Sequence, residues 1–188
     1  MFDRYYLRHD EKYCIDRFIG LYEKLRRKCK RFGITVLPAM ELVLDKVVFD
    51  DPKLFADILV FGITPEQIRE YGFSLMEHDQ KEFYELARKN GWIIGQAHPY
   101  RKCCDRLDPK YLDFVEIYNG HPGHDSHTDL ATEFATENNL IGTAGSDFHF
   151  CAAVGSGILT EAPIKTLTDL VEVIKSGNFE LLKRDPNG

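Results

Sequence analysis

The chain has 188 residues, of which 44% are apolar and 29% charged, and this composition is typical of a globular protein rather than a disordered one. Its 24 basic and 30 acidic side chains give a formal net charge of −6, which argues against non-specific binding to a nucleic-acid backbone. No apolar run reaches the ~18 residues that a membrane helix requires. The five cysteines include no Cys-x-x-Cys pair, so we expect reduced thiols in a cytoplasmic protein. The length predicts a single domain over residues 1–188.

The spacing of apolar residues predicts four helices. Residues 11–31 form the first, and their apolar side chains recur every three to four positions, as on one buried face. That predicted face consists of Ile15, Phe18, Ile19, Tyr22 and Leu25. The second helix covers 74–91, where Ser74 and Glu77 have the spacing of a capping box. The other two predicted helices are 126–139 and 166–177.

Short apolar runs between these helices predict six strands, at 34–44, 57–63, 92–99, 114–120, 140–147 and 155–160. Near-continuous apolar runs are typical of parallel strands buried on both faces. The order of elements therefore indicates an α/β fold, either barrel-like or doubly wound. Polar residues follow the strands at or just beyond their C-terminal ends, namely Glu41, His98, Asn119, Asp147 and His149. Because that end of an α/β barrel carries the active site, we expect these side chains to meet there.

Three local motifs point to metal or anion chemistry. The segment GSDFH places Asp147 and His149 two residues apart after an apolar strand, and both are ligand types for zinc, manganese or iron, although Asp147 could instead cap a turn. In QAHP, His98 is either a ligand or a hydrogen-bonded core histidine, and Arg101 beyond it could clamp an anion or lie solvated. Glu41 ends an apolar strand and needs a metal or a cationic side chain to compensate its charge.

Taken together, these motifs resemble the PHP family, the polymerase and histidinol-phosphatase type of metal-dependent phosphoesterase. The matching segments are GITVLPAMEL, WIIGQAHPYR, LDFVEIYNG, GTAGSDFH and VGSGIL, which occur in the family's order between about residues 33 and 160. The resemblance implies a distorted (β/α)7-type barrel that holds two or three divalent ions at its C-terminal face and hydrolyses phosphate esters.

The resemblance also implies roles for individual residues. The implied metal ligands are Glu41, which would bridge two ions, His98, Asp147 and His149. A further family histidine usually opens a strand, and that position falls on Asp57, a possible substitute ligand. The implied catalytic residues are Glu41, His98 and Arg101, and the implied phosphate contacts are Arg101 and Asn119.

The family's HxH motif on its first strand and DH motif on its second are both missing from this sequence. The resemblance therefore predicts a barrel that is incomplete at its N-terminus, with an exposed edge that favours homo-oligomers. Either the natural protein begins upstream of Met1 or the chain is a shortened relative. We expect hydrolysis of a small phosphorylated substrate through a di- or trinuclear site of zinc, manganese or iron, with no membrane or nucleic-acid partner. The alternatives are a truncated, non-catalytic scaffold with weakened metal binding and an amidohydrolase that uses the same metal face.

Overall fold

The computed structural model describes residues 10–149 and 155–183. Its helices are Glu11–Lys30 (α1), Pro65–Tyr71 (α2), Gln80–Asn90 (α3), Thr128–Glu137 (α4) and Leu167–Ser176 (α5). Its strands are Ala39–Leu42 (β1), Ile58–Phe61 (β2), Ile93–Gln96 (β3), Phe114–Asn119 (β4), Ile141–Gly145 (β5), Gly157–Leu159 (β6) and Glu180–Leu182 (β7). Two 3-10 helices cover Gly72–Met76 and Pro109–Tyr111. Among these described helices, none combines the length and the apolar character needed to cross a bilayer.

Strands β1 to β5 form one sheet in chain order. Strand β2 pairs antiparallel with both β1 and β3, whereas β4 pairs parallel with both β3 and β5. Strand β2 therefore runs against the other four, and its N-terminal end lies at the edge where the others have their C-terminal ends. In this register Leu42, Ile58 and Gln96 lie side by side near that edge.

The prediction of parallel strands is confirmed for β3, β4 and β5 and is wrong for the two pairings of β2. The apolar runs reflect burial on both faces and not strand direction. In the fully buried strand β3, Ile94 packs into a core shared with α1, α2 and α3, whereas Ile93 packs with side chains of α5. The result is a mixed α/β fold. Within the described residues the sheet is open, and the predicted PHP barrel is not confirmed.

The first predicted helix is confirmed as α1, but its buried face is shorter than expected. The buried residues of α1 are Cys14, Ile15 and Ile19, all in its first half. Leu25 is 51% exposed, so its predicted place on the buried face is wrong. Helical periodicity identifies the apolar face of a helix but not how far the neighbouring elements extend along it.

The second predicted helix begins later than expected. Asp79 caps α3, and Glu82 completes its capping box, so the helix starts at Gln80. The predicted cap at Ser74 is wrong, because Ser74 lies in the 3-10 helix and its hydroxyl donates to the carbonyl of Tyr71. Ser74 with Glu77 and Asp79 with Glu82 have the same capping-box spacing, but only Asp79 is followed directly by an uninterrupted helix.

The sequence interpretation missed α2 and β7. Helix α2 carries its own start signal, since Thr64 and Gln67 form a capping box with Pro65 at the first turn. Strand β7 pairs antiparallel with β6 in a separate two-stranded sheet, and α5 connects the two strands. The predicted strand at 155–160 is confirmed as β6.

Candidate metal site

The candidate site lies at the sheet edge where β1, β3, β4 and β5 end and β2 begins. Glu41 lies in β1, Asp57 directly precedes β2, and His98 follows β3 by two residues. The reversed direction of β2 brings Asp57 to this edge. The amide of Ala97 donates to the carbonyl oxygen of Asp57 at 3.0 Å, which extends the β2–β3 pairing towards the site. The directions of the strands therefore bring Glu41, Asp57 and His98 to the same edge of the sheet.

The imidazole of His98 is the centre of this group and is only 2% exposed. Its Nε2 lies 3.6 Å from Glu41 Oε1 and 3.7 Å from Asp57 Oδ2. On the other side of the ring, Nδ1 lies 3.7 Å from Cys104 Sγ. Two carboxylates and a thiol therefore surround one imidazole, and all four groups are metal-ligand types.

The carboxylate of Asp57 is fully buried, and neither of its oxygens accepts a hydrogen bond from the described residues. Burial, followed by the nearby charge of Glu41, raises the pKa of Asp57 to about 6. An ionised carboxylate buried without hydrogen-bond donors is costly unless a cation compensates its charge. Asp57 is therefore a strong candidate for a metal ligand.

The protonation state of His98 follows from the same surroundings. Burial alone would lower the pKa of His98, but the contacts with Cys104 and Glu41 outweigh it and raise that pKa to about 10. The metal-free imidazole is therefore protonated at neutral pH and balances part of the carboxylate charge. A metal ion that binds this ring must displace one of its protons.

Glu116, in β4, fixes the backbone of His98 through a side-chain hydrogen bond. Its Oε2 accepts the amide N–H of His98 and the side-chain Nδ2 of Asn119, both at 3.0 Å. Burial is the main cause that raises the pKa of Glu116. Gly145 in β5 leaves room for this carboxylate, since a Cβ there would clash with Glu116 Oε1. These bonds hold His98 at a φ of 28°, a conformation that non-glycine residues adopt mainly where the surroundings impose it.

Asn119 is engaged within the chain at both ends of its amide. Besides the bond from Nδ2 to Glu116, its Oδ1 accepts the backbone amide of His121 at 3.0 Å. Asn119 therefore helps to position the β4 end and the loop after it. Its predicted contact with phosphate stays a prediction.

A second polar group lies beside the first and is formed by Arg101, Asp147 and His149. Arg101 Nη1 donates to Asp147 Oδ2 at 3.1 Å, and the two side chains are 17% and 8% exposed. His149 Nδ1 lies 3.2 Å from Asp147 Oδ1, but its imidazole is 67% exposed. The Asp147 charge also contributes to the raised pKa of Asp57, which places the two groups within electrostatic reach.

Imidazole rings line the outer rim of this second group. The ring of His121 stacks on that of His124 with centroids 4.3 Å apart and meets His149 edge-on at 5.6 Å. Burial and the Arg101 guanidinium lower the pKa of His124, which favours its neutral form. Several imidazole nitrogens, which are metal-ligand types, therefore lie next to Asp147.

Sequence reasoning missed Glu116 and Cys104. A signal existed for Glu116, because a lone carboxylate inside the apolar strand FVEIYN must find a buried partner. No local pattern marks Cys104, which reaches His98 only through the folded backbone.

Comparison with known proteins adds one match. Residues 125–179 match the family model described as PHP-associated. The PHP-associated match covers less than a third of the chain and supports a PHP-related family, in keeping with the resemblance of the motifs. It includes Asp147 and His149 but not Glu41, Asp57 or His98. No curated protein matches the chain.

Proposed function

We propose that the chain is a metal-dependent phosphoesterase of the PHP type that binds a divalent ion between Asp57 and His98, with Glu41 beside them. The observation that carries this proposal is the Asp57 carboxylate, which is fully buried, has no hydrogen-bond donor among the described residues and lies 3.7 Å from an imidazole nitrogen. The PHP-associated match adds support, because PHP proteins are usually metal-dependent.

The donor set fits a divalent transition ion. Carboxylate oxygen and imidazole nitrogen suit zinc, manganese and iron(II). Glu41 Oε1 and Asp57 Oδ2 lie on the same side of His98, next to Nε2, so all three can turn towards one ion with small side-chain movements. Asp147 and His149 form a neighbouring carboxylate–imidazole pair that could hold a second ion.

The residues of the chain would have the following roles in the reaction. A bound divalent ion supplies Lewis-acid polarisation of a phosphoryl oxygen and lowers the pKa of a bound water. Arg101, held by Asp147 at 3.1 Å and still 17% exposed, presents a guanidinium whose fork matches two phosphate oxygens. It would bind the ester's phosphate and stabilise the negative charge that grows on it in the transition state. Glu116 keeps the His98 backbone in position, and Asn119 orients Glu116 and the loop after β4, while its contact with the phosphate stays a prediction.

A small phosphomonoester is the substrate class that we propose. The Arg101 side chain pairs with the candidate ligand Asp147, and one guanidinium suffices for one phosphate group. The net charge of −6 disfavours a polyanionic nucleic acid.

Metal content and phosphatase activity test the proposal together. The purified chain should take up at least about one equivalent of Zn²⁺ or Mn²⁺, measured by elemental analysis after dialysis, and should hydrolyse p-nitrophenyl phosphate. Asp57→Asn should lose both properties, whereas Asp50→Asn, a change at an exposed loop carboxylate, should keep both. A folded wild-type chain that takes up no metal, or uptake that Asp57→Asn leaves unchanged, would overturn the proposed site. Metal binding without hydrolysis of any phosphate ester would favour the scaffold instead.

A further inference from the structure

We infer that Cys104 supplies a thiolate ligand to the ion at Asp57 and His98, so that the site selects a thiophilic ion such as Zn²⁺ over Mn²⁺ and Mg²⁺. The inference rests on the proposed function and names the ion class that the same site takes. The resemblance to known phosphoesterases implies carboxylate and imidazole ligands only, so a thiolate would set this chain apart.

The first support is the position of the sulfur. One oxygen of Asp57, one ring nitrogen of His98 and Sγ of Cys104 all lie within 4.8 Å of one another. Tetrahedral zinc sites, with Zn–S about 2.3 Å and Zn–N about 2.0 Å, keep their donor atoms roughly 3.5 Å apart. Cys104 Sγ makes its 3.7 Å approach to Nδ1 of His98, whereas Asp57 Oδ2 makes its 3.7 Å approach to Nε2, so one of the two must move towards the nitrogen that binds the ion. From a spread of at most 4.8 Å, the three donors need to close by up to roughly 1.3 Å.

The second support is that the sulfur also approaches the carboxylate. A thiol that served only to orient the His98 ring through Nδ1 would have no need to lie near Asp57. Both Asp57 oxygens lack a hydrogen-bond donor among the described residues, so the nearby Cys104 thiol does not stabilise the carboxylate unless a metal ion binds between them. A shared ion accounts for the carboxylate, the imidazole and the thiol together.

The third support is the backbone that carries Cys104. Phe55 donates its amide to the carbonyl of Cys103 at 3.1 Å, and Asp105 donates its amide to the carbonyl of Phe55 at 3.0 Å. These two bonds flank Cys104 and tie it to a residue only two positions before Asp57, as an isolated parallel bridge. The side chain of Gln96 adds bonds to the carbonyl of Asp105 and the amide of Leu107. The loop therefore holds the sulfur at the start of β2.

The chemistry of the thiolate sets the selectivity. When the thiol binds, the S–H proton leaves to the solvent and a metal–sulfur bond forms, with no change in oxidation state. Soft sulfur favours zinc, whereas magnesium and manganese prefer oxygen ligands. The neighbouring Cys103 is exposed and provides a matched control, because it is another thiol in the same loop.

Cobalt(II) substitution tests the inference through a signal that does not depend on activity. Co²⁺ added to the anaerobic wild-type chain should give the near-ultraviolet band of thiolate-to-cobalt charge transfer. Cys103→Ser should keep this band, and Cys104→Ser should lose it while still binding Co²⁺. In competition experiments Cys104→Ser should bind Zn²⁺ at least about tenfold more weakly, with a much smaller change for Mn²⁺.

The outcomes separate this inference from the proposed function. Co²⁺ binding that depends on Asp57 but shows no charge-transfer band in the wild type would overturn the thiolate ligand and leave the metal site standing, with Cys104 as a partner of Nδ1 only. A band that disappears in Cys103→Ser and persists in Cys104→Ser would also overturn the inference. Absence of any Co²⁺ or Zn²⁺ binding would overturn the proposed function itself. If Cys104→Ser fails to fold, a wild-type chain without the band still overturns the inference, and a band that persists in Cys103→Ser supports it.

Discussion

Asp57 Oδ2 and His98 Nε2 lie 3.7 Å apart although Asp57 precedes a strand and His98 follows one. The two residues meet because β2 and β3 are antiparallel, so the beginning of one strand lies beside the end of the other. The sheet's change of direction at β2 therefore creates the candidate site. It also leaves a carboxylate buried with no hydrogen-bond donor among the described residues, and this arrangement has measurable consequences for stability.

The metal-free chain should show an unusual dependence of stability on pH that comes from Asp57. Its pKa is about 6 in the folded chain against an ordinary value of 3.8, so between these values the folded state holds a proton that the unfolded state has lost. The free energy of unfolding should therefore fall as the pH rises from about 4 to about 6, by up to about 3 kcal/mol relative to Asp57→Asn.

Urea denaturation in the presence of a chelator, at half-unit steps of pH, measures this difference. Other carboxylates titrate in the same window, but both chains contain them, so the comparison isolates Asp57 together with its coupling to Glu41. Stability curves of wild type and Asp57→Asn that stay parallel between pH 4 and pH 6 would show that Asp57 is not held in a costly environment.

The close contact between Gly145 and Glu116 predicts a strong effect of adding one methyl group. Gly145→Ala should force the Glu116 carboxylate to move and so weaken its bonds to His98 and Asn119. We expect a loss of about 1–3 kcal/mol in the free energy of unfolding and a several-fold weaker metal affinity. The measurements are urea denaturation and metal titration.

Gly157→Ala is the control for this substitution. Gly157 also lies in a strand, and a Cβ there would meet no atom within 4 Å. Its stability and metal affinity should stay close to those of the wild type. Equal losses in the two variants would mean that strand glycines in general are sensitive and that the Glu116 contact has no special role.

Much of the site follows from the sequence because apolar runs fix where strands end. Glu41, His98 and Asp147 each lie in or beyond such a run, and each lies at the same edge in the folded chain. What the runs could not predict is direction. A strand buried on both faces has the same composition whichever way it points, so the reversal of β2, which brings Asp57 to the edge, left no local trace.

Cys104 and the start of α3 were unpredictable for different reasons. Cys104 depends on backbone pairing between Phe55 and the loop at 103–105, and contacts between residues this far apart in sequence leave no periodic pattern. For α3, the cap at Asp79 and the predicted cap at Ser74 both had an acidic residue three positions on. Tertiary packing of the 3-10 helix at Gly72–Met76 decided between them.

The guanidinium of Arg101 should matter for turnover and not for metal binding. Arg101→Met should lower kcat/KM for a phosphomonoester by about 10²–10³-fold, because it removes a donor aimed at the developing phosphate charge. Arg101→Lys should recover only part of that loss, since an ammonium cannot contact two oxygens in one plane. Steady-state kinetics with metal content measured on the same samples tests this separation.

Lys102→Ala is the matched change for Arg101, because it removes an exposed cation from the next position. It should leave kcat/KM within about twofold, as is usual for an exposed side chain. A similar loss in both variants would indicate general electrostatic attraction of the substrate. Loss of metal from Arg101→Met would indicate that the ion pair with Asp147 is part of the metal site.

Two substitutions at Glu116 should separate its hydrogen bonds from its charge. Burial raises the pKa of Glu116, so its neutral form is already favoured relative to an exposed carboxyl. Glu116→Gln keeps a carbonyl oxygen in the same place, and it should unfold within about 1 kcal/mol of the wild type because the two bonds that Oε2 accepts survive. Glu116→Ala leaves the amides of His98 and Asn119 buried without an acceptor and should lower the free energy of unfolding by about 2–4 kcal/mol.

The metal affinities of the two Glu116 variants should follow the same order, since His98 keeps its backbone position only in the Gln variant. If Glu116→Gln instead loses metal as completely as Glu116→Ala, the carboxylate charge and not the hydrogen bonds would be what the site requires.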